Sequence, residues 1–187
     1  MEKKPPTLVT TGFLRPHKNI QTLIGAMPAV QIEFPGAVLR VHCAEYPSDD
    51  SREELRRCRE MVDALGLEAH VVFDTTFHEK KEQLTLLCDA DLALLAYEQS
   101  EEGGSAAAAD CLSVGLPLLI SGARIFDDVR EYACTVEGDA AVWAQEIKEV
   151  LRSVEKYDAL RTRSIDYAEK HDWDSLVDRF ISLEKAL

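Results

Sequence analysis

The sequence predicts an α/β fold built on a doubly wound parallel sheet, and three observations carry that prediction. Apolar runs of strand length alternate with segments whose apolar positions fall at helical spacing. One run, Ala90 to Ala96, is nearly all apolar, as a strand covered on both faces of a central parallel sheet must be. The alternation continues without an internal repeat, a low-complexity tract or a linker, so the 187 residues read as one domain, 1–187.

Taken in order, Thr7 to Thr11 is a β-branched run that ends at Gly12. Asn19 is placed to cap a helix with apolar positions Ile20, Leu23, Ile24 and Met27, and Pro28 is expected to kink or end it. Ala37 to His42 reads as a second strand, and Ser51 to Leu65 as a charged helix closed by Gly66. Val71-Val72-Phe73 is a short third strand, Glu79 to Cys88 a helix, and Ala90 to Ala96 the fourth strand. Ser105 opens an alanine-rich helix to Val114, Pro117 to Ile120 is a fifth strand, and Cys134 to Val136 a candidate sixth. From Asp139 the pattern is helical almost to Leu187, the part from about residue 155 forming a C-terminal helical tail. With right-handed crossovers this is a Rossmann-like doubly wound sheet.

Composition narrows the function classes. A formal charge of −13 argues against a nucleic-acid partner, which needs a basic face to neutralise phosphates. The apolar stretches are far shorter than the roughly 20 residues that cross a bilayer. The basic start, Met1-Glu2-Lys3-Lys4, leads into Leu8-Val9-Thr10 with no secretory h-region. Five scattered cysteines without a C-x-x-C pair read as reduced thiols of a cytoplasmic protein, and no Cys/His cluster offers a zinc site.

Ligands of such sheets bind outside the carboxyl ends of the strands, and two strand-to-helix junctions stand out there. Gly12-Phe13-Leu14-Arg15-Pro16-His17-Lys18-Asn19 places two cations before a helix N-terminus, which suits a diphosphate; a polar loop with both cations in water is the alternative. In Tyr97 to Ala106, the glycines Gly103 and Gly104 let a ligand approach the backbone, and Ser105 is a plausible N-cap. Glu102 and Asp110 project toward a similar side, one at the helix entrance and one two turns in; a partly exposed surface acid is the alternative for Asp110. The five histidines lack partners for a nucleophilic triad. Asp49-Asp50 follows the second strand rather than the first, so it reads as a loop or helix cap rather than a phospho-receiver pair. Tyr132, Trp143, Tyr157, Tyr167, Trp173 and Phe180, at near-helical spacings, read as core.

The two junctions, with Leu65-Gly66-Leu67 through Phe73, Cys88-Asp89-Ala90-Asp91-Leu92, Val114-Gly115-Leu116-Pro117-Leu118 and Trp173 in the closing stretch, resemble the C-terminal domain of family-4 GT-B glycosyltransferases. The family's paired acids, seven residues apart, fall on Glu102 and Asp110. The resemblance implies the donor-binding half of an enzyme that transfers a sugar, with retention, from a UDP- or GDP-sugar to an acceptor held by an N-terminal domain. It implies that Lys18 contacts the diphosphate, Glu102 acts catalytically beside the donor sugar, and Gly103, Gly104 and Ser105 offer amides to sugar or phosphate. Asp110 would hold the ribose, and the segment from Phe73 and Asp74 to Phe77 would lie at the base. It implies no cofactor and no metal, and a tail from about Tyr157 that crosses back to the other domain. Two positions depart from the family: Phe13 stands where it has an arginine, so Arg15 must reach round, and Asp110 is one methylene shorter than the usual glutamate. These departures keep open a non-catalytic nucleotide-binding or regulatory domain.

Overall fold

A computed structural model describes residues 4–171. Six parallel strands form one sheet in the order β3-β2-β1-β4-β5-β6. They are β1 (Thr7–Leu14), β2 (Val38–Glu45), β3 (Val71–Asp74), β4 (Leu92–Leu95), β5 (Leu118–Ser121) and β6 (Cys134–Val136). The helices are α1 (Ile20–Glu33), α2 (Asp49–Leu65), α3 (Lys80–Cys88), α4 (Ala106–Ser113), α5 (Ala140–Arg152) and α6 (Val154–Lys170). The strand order reverses between β1 and β4, which is where a doubly wound sheet opens a crevice.

Alternation along each strand divides the core in two. Leu8, Leu92, Leu94 and Leu119 pack on the face covered by α1, α2 and α5, while Val9, Ala93, Leu95, Leu118 and Ile120 pack on the face covered by α3 and α4. Helix α6 joins the two, with Leu160 in the first cluster and Tyr167 against the second. Gly25 permits close packing on the first face: a Cβ there would lie 3.1 Å from both Ala140 Cβ and Met61 Cε.

Several motifs resolve into local chemistry. The Asp91 carboxylate accepts the Thr7 amide at 2.7 Å and its own amide donates to Thr7 O, so the starts of β1 and β4 are tied together. Tyr157 adds a hydrogen bond to Asp91 O at 3.0 Å. Gly66 closes α2 at φ 65°, the left-handed region that glycine enters without a Cβ penalty. Ser105, Asp139 and Ser153 cap α4, α5 and α6 with side-chain oxygens that accept backbone amides.

Three expectations need correction. The helix does not end at Pro28; α1 runs through it to Glu33, because Leu23, Ile24, Met27 and Val30 are fully buried on both sides of the proline and hold both halves on the sheet. The first strand does not stop at Gly12, since the ladder to β2 continues through Gly12↔Cys43 to Leu14↔Glu45. Helix α2 starts at Asp49, so Asp49 and Asp50 form its first turn, where negative charge complements the helix dipole. Of the aromatics read as core, Trp143 and Tyr132 are buried and Tyr157 and Tyr167 pack against the two clusters, while Trp173 and Phe180 lie outside the described residues.

Candidate functional site

A cleft of about 670 Å³ opens at the carboxyl ends of β1, β2 and β3, bounded by α3 and α4. Its floor follows from the extended β1. Gly12 sits in the strand at φ +125°, a backbone that other residues rarely adopt, and a Cβ there would approach Tyr97 Oη at 3.5 Å. The buried Tyr97 hydroxyl donates to Thr11 O at 3.2 Å, which pins the end of β4 against β1.

Lys18 ends a 3-10 turn, Pro16–Lys18, and Asn19 follows at φ 51°. The turn aims the lysine into the cleft, where its ammonium lies 3.8 Å from the centre of the Tyr97 ring and 3.6 Å from Glu102 Oε2. The residue is only 8% exposed. Burial pulls its ammonium below the usual lysine value; Glu102 opposes that pull, and nearby Arg15 adds to it. His17 Nε2 lies 3.7 Å from the other oxygen of Glu102, and burial, followed by the charge of Lys18, lowers its pKa. The Glu98 amide donates to His17 O at 2.7 Å and so holds the loop of Glu102 to the turn of Lys18.

Asp110, on α4, is held by two side chains. Lys80 Nζ meets both carboxylate oxygens at 2.7 Å, and Gln83 Nε2 reaches Oδ2 and Thr11 Oγ1 at 3.3 Å each. Ser105 accepts the Ala108 amide at 3.2 Å and fixes the start of the same helix.

The opposite wall is aromatic. Phe13, Tyr46 and Phe77, from the ends of three adjacent strands, are 43%, 39% and 69% exposed. Phe13 and Phe77 lie nearly parallel with centroids 6.4 Å apart, and Phe13 meets Tyr46 edge-on at 5.5 Å. Arg15 stacks over Tyr46 at 4.9 Å and lies 3.6 Å from Asp50. Behind this wall Asp74 accepts His78 Nε2 at 2.6 Å and faces His42 Nδ1 at 3.5 Å. Burial works against the Asp74 charge, but His78 and the Thr76 amide hold its carboxyl down to about 2. Arg15 Nε, His17 Nε2 and both His42 ring nitrogens are buried without a hydrogen-bond partner among the described residues.

Of the residues singled out from sequence, Arg15, Lys18, Glu102, Gly104, Ser105 and Asp110 line this one cleft. Gly103 is exposed on the rim and does not line it. Phe73 pairs with Val41 in the β3 ladder, packs against the first core cluster and does not line the cleft. Asp74 stands one layer back, behind His42 and His78. Sequence reasoning missed Lys80, Gln83, His42, Tyr46 and Tyr97. Lys80 is 30 residues from Asp110, and no local spacing pairs them. Among the described residues no group of His, Cys, Asp and Glu is arranged to hold a metal ion, and no helix is long and apolar enough to cross a membrane.

Comparison with known proteins follows the same lines. The C-terminal domain of a group 1 family glycosyl transferase, LpcC, from Francisella tularensis matches 89% of this chain and 85% of its own, with a TM-score of 0.75 at 15% identity. Sucrose-phosphate synthase from Thermosynechococcus elongatus matches 98% of this chain at a TM-score of 0.79 and 20% identity. Anabaena HepE, solved in complex with UDP-glucose, matches 96% at 0.75 and 16%. The chain spans 45% of the synthase and 49% of HepE, so it corresponds to about half of each. At these identities the likeness shows the fold, one half of a GT-B architecture. No curated protein matches the sequence itself. The family model for glycosyl transferases group 1 covers residues 1–171, and the chain belongs to that family.

Proposed function

We propose that the cleft binds a nucleoside diphosphate sugar and that the chain is the donor half of a retaining glycosyltransferase whose acceptor is held by an N-terminal domain. The observation that carries this reading is the convergence of Lys18, Glu102, Ser105 and Asp110 on one cleft at the strand-order switch. Lys18, half-neutralised by Glu102, is positioned to exchange part of that pairing for the diphosphate. There it stabilises the negative charge that grows on the phosphate oxygen as the bond to the sugar breaks. Gly104 and the first turn of α4 supply amides and the positive end of a helix, with Ser105 holding that turn in place. Glu102, more than half exposed, faces the space where the sugar hydroxyls lie and accepts from them. Asp110 accepts from the ribose, and the base extends toward Phe77. Arg15 is the second cation for the diphosphate and must leave Asp50 and Tyr46 to reach it. HepE, which shares this fold, was solved with UDP-glucose and with UDP and glucose, and this supports a donor of that class.

The second reading, a nucleotide-sugar-binding domain without turnover, is favoured by one observation: Phe13 takes the place of a cationic side chain and joins an aromatic stack. Titration calorimetry of the purified chain with UDP, GDP, ADP and their glucose conjugates tests the shared part of both readings, with binding below millimolar concentration expected for at least one. Transfer to an acceptor separates them. The chain alone is expected to transfer no sugar, and addition of a cognate N-terminal domain restores transfer only on the first reading.

A further inference from the structure

We infer that Lys80 and Asp110 act as one unit that reads the vicinal diol of the ribose, so that Lys80 determines whether the site accepts a ribonucleotide or a deoxyribonucleotide. The inference rests on the donor-site reading and adds to it a residue on a different helix. Lys80 is the first residue of α3, where the helix dipole disfavours a cation, so helix stability does not explain its position. Its ammonium instead crosses to α4 and meets both oxygens of Asp110 at 2.7 Å. Asp110 is 14% exposed and Lys80 61%, so the pair stands at the boundary between the cleft wall and solvent, and both residues line the cleft.

The hydrogen-bond inventory gives this pair its specificity. A carboxylate has about four acceptor positions and an ammonium three donors. Lys80 occupies one position on each oxygen of Asp110, and Gln83 a second on Oδ2. The pair therefore presents one unused acceptor, on Oδ1, next to one unused N–H of Lys80. A vicinal diol complements this arrangement: one hydroxyl donates to Asp110 while its neighbour accepts from Lys80. A 2′-deoxyribose satisfies only one of the two groups and leaves the other without a partner.

The test is calorimetric titration of the wild-type chain and of Lys80→Met with UDP and 2′-deoxy-UDP, and with the GDP and ADP pairs in parallel. The quantity read is the ratio of ribo to deoxy affinity. Removing the charge weakens every diphosphate alike through long-range attraction, and this cancels in the ratio. The wild type is expected to prefer the ribonucleotide by roughly ten-fold or more, the value of one charge-assisted hydrogen bond. In Lys80→Met that preference is expected to fall to within about three-fold. Three results overturn the inference while leaving the donor site intact. They are a wild type that binds ribo and deoxy forms equally, a variant that keeps the full preference, and a variant that binds both forms more tightly, which would make Lys80 a competitor for Asp110. Failure of the wild type to bind any of the nucleotides overturns the donor-site reading itself.

Discussion

The two walls of the cleft are built on different principles. The α4 wall is polar and organised in advance: Ser105 caps the helix, Lys80 and Gln83 hold Asp110, and Glu102 lies beside Lys18. The wall above β1, β2 and β3 is aromatic and exposed, with Phe13, Tyr46 and Phe77 touching chiefly one another. Polar groups in a ligand site must be oriented before the ligand arrives, because reorienting them at the moment of binding costs free energy. Ring faces need only be present at the right depth. On the proposed donor-site reading, the difference assigns specificity for sugar and phosphate to the α4 side and apolar contact area to the aromatic side.

Substitutions on the polar wall are expected to act on binding most strongly. Lys18→Ala removes the buried cation of the cleft and should weaken nucleotide binding by about 1.5–3 kcal/mol, roughly 10- to 150-fold, with Asp110→Ala in the same range. Calorimetry measures both, and unchanged affinity in both variants would remove the distinction between the walls. Ser105→Ala acts one step back from the ligand. Loss of an N-cap costs about 1 kcal/mol, which lowers the melting temperature by ~2–4 °C in a chain of this size. Ser153→Ala removes the equivalent cap from α6, away from the cleft. It is expected to cost similar stability and leave binding unchanged, whereas Ser105→Ala should also weaken binding. Equal effects of the two on affinity would deny the α4 cap a part in the site.

The sequence made the polar wall more legible than the aromatic wall, for a physical reason. Glu102, Gly104, Ser105 and Asp110 lie within one loop and the helix it enters, so helical geometry alone brings them to one side. Lys18 lines the cleft because the Pro16–Lys18 turn buries it there, a geometry that the spacing alone left open against a polar loop. Phe13, Tyr46 and Phe77 are brought together by the β3-β2-β1 strand order, which no local pattern encodes. The same holds for Lys80, whose partner is set by the packing of α3 on α4. Phe73 lies outside the cleft, packed on the core; a residue inside a ladder and one just past its end differ by a single position, which periodicity does not resolve. The fold itself was legible down to six strands because each strand buries alternate residues on two faces, and α1 continues past Pro28 because burial outweighs the loss of one helical hydrogen bond.

On the aromatic wall the contrast predicts a small change. Phe77 is 69% exposed, and Phe77→Ala should alter unfolding stability by less than about 0.5 kcal/mol. Leu94→Ala, which truncates a fully buried residue of β4, is expected to cost about 2–5 kcal/mol. Denaturant titration compares them. A loss near that of Leu94 would make Phe77 part of the core and the aromatic wall a structural feature.

The smallest effect is a titration that distinguishes the layer behind the aromatic wall from the turn of Lys18. His78 is raised above the ordinary histidine value of 6.5 by its hydrogen bonds to Asp74 and Glu82. His42 is lowered by burial, with Asp74 opposing and Arg40 and His78 adding, and His17 is lowered by burial and then by Lys18. For His78 the folded pKa lies above the unfolded one, so its contribution is fully present below pH 6.5 and is lost as pH rises through the folded value. For His42 and His17 the order is reversed, and their contribution is present above pH 6.5 and lost as pH falls toward the lower folded values. Asp74, held at about 2 against an ordinary 3.8, contributes above 3.8 and loses that contribution only as pH falls toward 2. The losses fall on opposite sides of pH 6.5, so global stability peaks there without separating the residues, and the informative measurement is imidazole NMR, residue by residue. His78 is expected to titrate at a higher pH than His42 and His17, and Asp74→Asn to bring it back toward 6.5. If His42 instead titrates above His78, the Asp74–His78 bond does not hold the loop that carries Phe77, and the aromatic wall has no fixed support from this side.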